Sequence, residues 1–201
     1  MNRAARLISY IFHPLLMPTL GLLLILNSGT YLSLIDPVAK RAILFVMALG
    51  TLFIPLMMLP MLFYRNLVNS TRESLREKRL VHLLMLLIFY VITFIYFVRL
   101  PVSRVIHGYV LSVSILLFVV LLVSVKFKIC GHMAALGGMT GLIAALMLLY
   151  ETPLQGILIV SLLATGLTGS ARLITGAQRP AEVYSGFLVG FGVVLATFLL
   201  Y

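Results

Sequence analysis

Residues 106–125, Ile-His-Gly-Tyr-Val-Leu-Ser-Val-Ser-Ile-Leu-Leu-Phe-Val-Val-Leu-Leu-Val-Ser-Val, hold twenty consecutive positions without one Asp, Glu, Lys or Arg. A helix needs about 20 apolar residues to cross the roughly 30 Å hydrocarbon core of a bilayer, and this run has that length. Its Leu, Ile, Val and Phe are continuous and do not alternate with polar residues, which excludes the lipid-facing strand of a barrel. Backbone N–H and C=O groups in lipid must be satisfied within the segment, so the run is read as a transmembrane helix. Working outward, comparable runs occupy roughly 7–27, 41–64, 80–98, 133–150, 154–171 and 183–200. The expected fold is all-α, a single transmembrane domain over residues 1–201 with six to seven helices. The first run contains Pro14 and Pro18, which kink a helix or leave it re-entrant, so it is the weakest candidate to span. Although flanked by Arg3 and Arg6, it lacks a small-residue cleavage site and is read as retained.

Composition agrees with this reading. Of 201 residues 62% are hydrophobic and 10% charged, where a soluble domain carries about a quarter charged. The formal charge of +10 comes from 15 Lys and Arg against 5 Asp and Glu, and in such a chain the excess serves orientation and anionic headgroups, not nucleic acid. The expected partners are membrane lipids. A single Cys130 excludes an internal disulfide and a Cys-based metal site, and the four His show no H-x-x-x-H spacing, so neither metal nor cofactor is expected.

If the last six runs all span, helix parity places the connections near 65–79, 126–132 and 172–182 on one side. That side then holds Arg65, Arg72, Arg76, Lys78, Arg79, Lys126, Lys128, His132, Arg172 and Arg179, against Lys40, Arg41, Arg99, Arg104 and His107 on the other. Two readings follow. Cations collect on the cytoplasmic side because they resist translocation. Alternatively, Arg forks, an imidazole and helix-start N–H groups converge on an anion such as phosphate.

Three stretches carry the second reading. Arg72, Arg76 and Arg79 recur at helical spacing, although Arg72–Glu73 and Arg76–Glu77 also suit a self-paired, solvated helix surface. Gly131-His132 opens the 133–150 helix and puts an imidazole beside free N–H groups. Arg172, Gln178, Arg179 and Glu182 surround a turn with Gly176 and Pro180, where Glu182 also suits the first turn of the final helix. Gly186-x-x-x-Gly190 and neighbouring glycines are read as helix-packing positions.

Over about residues 65–200 these stretches resemble the type 2 phosphatidic acid phosphatase family, whose pattern runs K-x6-R-P, P-S-G-H, then S-R-x5-H-x3-D. Arg72 and Arg79 stand at the first spacing, with Arg for Lys and Leu80 for Pro. Gly131-His132 end the second, with Ile129 and Cys130 for Pro-Ser. Arg172 matches the third, with Ala171 for Ser, Gln178 at the His position and Glu182 at the Asp position. The resemblance implies a metal-independent lipid-phosphate phosphatase acting on a phospholipid or polyprenyl phosphate. Catalytic places fall to His132, Gln178 and Glu182, and phosphate-binding places to Arg72, Arg79, Gly131, Arg172 and Arg179. A glutamine has no basic nitrogen lone pair and cannot be the phosphorylated nucleophile. Either the site retains binding alone, or water or another imidazole attacks, His82 being the first choice because it lies close to Arg79. Family sites face outward, whereas the cation count turns this face to the cytoplasm. A short polytopic chain of this kind suits a bacterial inner membrane.

Overall fold

The computed structural model describes residues 12–57, 75–176 and 178–201, with the side chains of residues 75, 76 and 78 left aside. Among these residues the regular structure is helical: α1 (Met17–Asn27), α2 (Pro37–Ala48), α3 (Leu75–Val98), α4 (Arg104–Ser124), α5 (Gly131–Tyr150), α6 (Gln155–Ile174) and α7 (Pro180–Leu200). A π turn, Leu49–Phe53, carries α2 on, so that Pro37–Met57 forms one long rod. Six helices, from Pro37–Met57 to α7, are long and apolar enough to cross a membrane, and α1 is not. The chain reads as an integral membrane protein.

Local chemistry sets the boundaries. Pro37 begins α2 where a missing N–H costs nothing, and the Asp36 carboxylate accepts from Val38 and Ala39 N–H at 2.8 and 3.2 Å. Ser103 caps α4 in the same way, accepting from Val105 N–H at 3.3 Å. Helices α2, α3, α4, α5 and α7 start earlier than their apolar runs do, because polar cap and first-turn residues are helical although they are not hydrophobic. Thus α3 already includes Glu77 and Arg79, and α7 begins at Pro180.

At 11 residues α1 is about 16 Å long, roughly half the hydrocarbon thickness. Pro18 sits in its first turn, where it is tolerated, and Pro14 lies before it. A half-length helix cannot face lipid with bare ends, and α1 packs one face into the bundle while Leu20 and Leu23 stay on the outside. Leu22, Ile25 and Leu26 are fully buried, clustered with Met47, Phe97, Ile106, Leu142 and Leu146. It leads from His13 at one end of the bundle to the turn at Tyr31–Leu34 at the other. There the Tyr31 and Ser103 hydroxyls hydrogen-bond, and Tyr31 stands against Tyr150, their ring centroids 6.5 Å apart.

Parity holds across the described residues. Tyr31, Ser103 and Tyr150 gather at one end; the Arg79 end of α3 and the starts of α5 and α7 gather at the other. Helices α5 and α7 therefore run parallel, and among the described helices they form the tightest pair. A Cβ added at Gly186 would stand 2.8 Å from the Cys130 carbonyl oxygen, and one at Gly141 2.6 Å from that of Phe191. Only glycine permits such backbone approach, and in lipid it is close packing that holds helices together. Across this pair Cys130 N–H donates to the Glu182 carbonyl at 3.1 Å. Buried hydroxyls donate within their own helices, as Thr140 does to the Leu136 carbonyl at 2.9 Å, and Thr140 and Ser161 join α5 to α6 at 2.9 Å.

Candidate anion site at the helix starts

Because α5 and α7 are parallel neighbours, their N-termini lie side by side, and α1 also begins at this end. Each start contributes partial positive charge from unpaired N–H groups. Gly131 opens α5 and is exposed, with His132 next to it. Arg172 occupies the last turn of α6, where a cation complements the negative end of the helix. Its Nη2 lies 3.0 Å from His132 Nδ1. A guanidinium donates and never accepts, so Nδ1 presents its lone pair and the imidazole is neutral, with the proton on Nε2.

A second imidazole, which sequence reasoning left unplaced, completes the cluster. His13 precedes α1, and its ring meets that of His132 edge-on, centroids 5.7 Å apart at 78°. Leu15 N–H approaches His13 Nδ1 at 3.4 Å. Burial, followed by the positive fields of His82 and Arg172, pushes the His13 imidazole below its ordinary 6.5. Arg79, near the start of α3, donates from Nη2 to the Ser124 carbonyl at 3.0 Å, tying α3 to the end of α4.

His13, Arg79 and Gly131 stand at the polar end of a cavity of about 310 Å³, whereas His132 and Arg172 do not line it. His13, Arg79, His82, Lys128, Gly131 and Gln178 line that end; Leu83, Leu86, Tyr90, Val113, Leu116, Ala134 and Met139 are among the apolar residues of its body. Arg79 Nε, Arg172 Nε and Gln178 Oε1 are buried and have no hydrogen-bond partner among the described residues. A buried polar atom left in that condition costs about 1–3 kcal/mol. The two Nε–H donors suit acceptor oxygens of a ligand, whereas Gln178 Oε1 is an acceptor and calls for a donor; of the three residues, Arg79 and Gln178 line the cavity.

The structure thus brings His132, Arg172, Arg79, Gly131 and Gln178 to one end of the bundle, together with His82 and the unexpected His13. Glu182 is turned to other work. Its carboxylate accepts from Arg179 N–H at 3.2 Å, capping α7, and pairs with Lys128 Nζ at 3.3 Å. Arg179 is exposed and does not line the cavity. Arg72 lies outside the described residues. His107 is at the opposite end, its Nε2 2.8 Å from the Phe97 carbonyl. Among the described residues no group of three or more His, Cys, Asp or Glu is arranged to hold a metal ion.

Comparison of the chain with protein-family models, with curated proteins and with solved structures finds no match.

Proposed function

We propose that this protein binds a lipid phosphate at the helix-start cluster and acts on it as a divergent, metal-independent lipid-phosphate phosphatase, in the bacterial inner membrane. One observation carries the reading: a cluster of cations and imidazoles stands at the end of an apolar cavity that opens inside a membrane bundle. Phosphate oxygens suit the donors of Arg79 and Lys128 and the N–H groups at the start of α5, while Arg172, which does not line the cavity, adds its charge beside His132. The hydrocarbon suits Leu83, Leu86, Val113 and Met139. The resemblance of Arg79, Gly131-His132 and Arg172 to the phosphatidic acid phosphatase pattern supports the same ligand and the same chemistry.

Binding without hydrolysis is a second reading, favoured by two features. Gln178 stands where the family pattern has its nucleophile, and the Arg172 contact engages the lone pair of His132 and leaves the ring neutral. A neutral imidazole is a poor proton donor to a leaving alkoxide.

The test is phosphate release by detergent-purified protein from phosphatidic acid, phosphatidylglycerophosphate and undecaprenyl pyrophosphate, with His132→Ala and Gln178→His alongside. Release that His132→Ala abolishes is expected. Silence of the wild type with release gained in Gln178→His establishes the binding reading; silence of all three proteins, with no phosphate bound, refutes both.

A further inference from the structure

The polar end of the cavity is rich in donors, and among the described residues it holds one buried side-chain acceptor that nothing meets. Arg79 and Lys128 bring N–H groups to that end, and Gly131 brings the unpaired first N–H groups of α5. Gln178, in the turn between α6 and α7, lines the same end, and its Oε1 is buried without a hydrogen-bond partner. The nearby cations are engaged elsewhere: Arg79 Nη2 donates to the Ser124 carbonyl at 3.0 Å, and Lys128 Nζ pairs with Glu182 at 3.3 Å. Turning the amide over does not remove the difficulty, because its NH2 would then stand in the positive field of Arg79 and Lys128, where a side-chain amide sets its carbonyl end instead.

A ligand that satisfies Oε1 must therefore carry a donor, and the phosphate is not that donor. A phosphate monoester loses its second proton near pH 6, and cations beside it loosen that proton further, so all its free oxygens accept. An ammonium group is also unsuited, since it would add a positive charge beside Arg79 and Lys128, with Arg172 close by at His132. A hydroxyl donates without bringing charge. We propose that the ligand is a phosphate monoester with a free hydroxyl near its phosphate, as in a glycerol or other polyol head group, and that Gln178 selects it by accepting from that hydroxyl. The proposal rests on the lipid-phosphate reading and narrows it to lipids with a hydroxylated head. It also gives the glutamine at the nucleophile position of the family pattern a task an amide can perform, which is recognition.

The experiment titrates purified full-length protein, held in an amphipathic polymer at about pH 8 so that free phosphates are dianions, and subtracts partitioning into protein-free polymer. The ligands are inorganic phosphate and matched long-chain alkyl phosphates that carry hydrogen, hydroxyl, methoxy or amino on the second or on the third carbon, with their propyl counterparts. The methoxy oxygen accepts but cannot donate. The better hydroxyl isomer is expected to bind roughly 5- to 50-fold more tightly than its hydrogen and methoxy partners, because those leave Oε1 buried and unmet, and more tightly than the amino compound. In Gln178→Met, which keeps the length and loses the acceptor, the hydroxyl preference falls to about twofold or less. In Gln178→Glu, which keeps an acceptor, the preference persists while every phosphate binds more weakly against the added negative charge. Hydroxyl and methoxy compounds that bind alike in the wild type, an amino compound that binds most tightly, or a preference unchanged in Gln178→Met overturns the proposal and leaves the lipid-phosphate reading standing. A hydroxyl preference with equal affinity for long and propyl chains supports the role of Gln178 and overturns the lipid as its source, in favour of a soluble phosphate ester. If neither inorganic phosphate nor any ester binds, the lipid-phosphate reading falls and takes the proposal with it.

Discussion

Gly190 is the residue on which the α5–α7 pair, and through it the helix-start cluster, depends most directly. A Cβ built there would stand 2.8 Å from both the Ala134 carbonyl carbon and the Gly138 nitrogen, and still closer to the Ala134 oxygen, whereas ordinary contact begins near 3.4 Å. The obstructing atoms belong to helix backbone and cannot swing aside as a side chain can. Gly190→Ala therefore forces the helices apart. Overpacking of this kind costs about 1–3 kcal/mol, offset in part by the ~0.5–1 kcal/mol gained when a helical glycine becomes alanine. A net loss of about 1–2 kcal/mol is expected. Gly166 on α6 is the internal control: it is exposed, and a Cβ there meets nothing within 4 Å. Gly166→Ala should be neutral or stabilising by up to ~1 kcal/mol. Unfolding of both variants in mixed micelles of rising denaturing-detergent content measures the difference. Because Cys130 N–H bonds the Glu182 carbonyl across the same pair, Gly190→Ala should also weaken phosphate binding at the neighbouring His132. Equal stability of the two variants would mean that α5 and α7 do not approach as closely as their glycines indicate.

Arg172→Gln removes a charged donor from the cluster, and phosphate affinity should fall roughly 10- to 100-fold, measured by the same titration. His13 carries a pH signature. Its imidazole titrates below the ordinary 6.5, so the unfolded chain binds more protons than the folded one just under that pH. The stability it contributes is complete above about 6.5 and lost as pH falls towards the folded value; His13→Gln should flatten that part of the pH–stability curve. Glu182→Ala removes both the α7 cap and the partner of Lys128, and should cost about 1 kcal/mol. Lys128→Ala, from a side chain 45% exposed, should cost less than that in the same unfolding assay. Cysteines introduced at Leu34 and Phe127, which are 86% and 70% exposed, should react with a membrane-impermeant reagent from opposite sides, native Cys130 being buried; labelling from one side would break the parity of the bundle.

The membrane bundle was legible in the sequence because bilayer thickness fixes the length of a spanning run, and the 106–125 stretch meets it unaided. The glycines of α5 and α7 were legible as packing positions for the same reason, since only small residues allow close approach in lipid. The segment at 7–27 was less so. Its prolines announced a break, but that the described part forms a short helix inside the bundle depends on contacts with α2, α4 and α5 that no local pattern encodes. His13 went unplaced on the same account. A lone histidine before Pro14 has no helical partner at i+4, and its neighbours His132 and Arg172 lie more than a hundred positions further along the chain. Parity alone predicted that Arg79, His132 and Arg172 share one end. It could not tell that Arg179, one residue after Gln178, turns to solvent, or that Glu182 is taken up by a helix cap and Lys128.

The parallel setting of α5 and α7 has an electrostatic consequence that bears on the chemistry. Two like helix ends side by side repel, and Arg79, Lys128 and Arg172 add three formal charges to the same end. Glu182 supplies one negative charge, and it faces Lys128 and the start of α7. The cavity end of the cluster therefore keeps a positive field. Such a field favours neutral imidazoles, in keeping with the depressed titration of His13 and with the acceptor lone pair that His132 offers to Arg172. An arriving phosphate reverses the balance: it draws the Arg172 fork to its own oxygens, frees His132 Nδ1, and makes protonation of either ring favourable beside the new negative charge. Proton uptake should therefore accompany phosphate binding, and the heat of binding measured in two buffers of different ionisation enthalpy reports it directly. Uptake of a fraction of a proton or more near neutral pH is expected, and reduced uptake in His132→Ala assigns it. Binding with no buffer dependence would show that the imidazoles stay neutral in the loaded site, and would leave the leaving alkoxide without a proton donor from either ring.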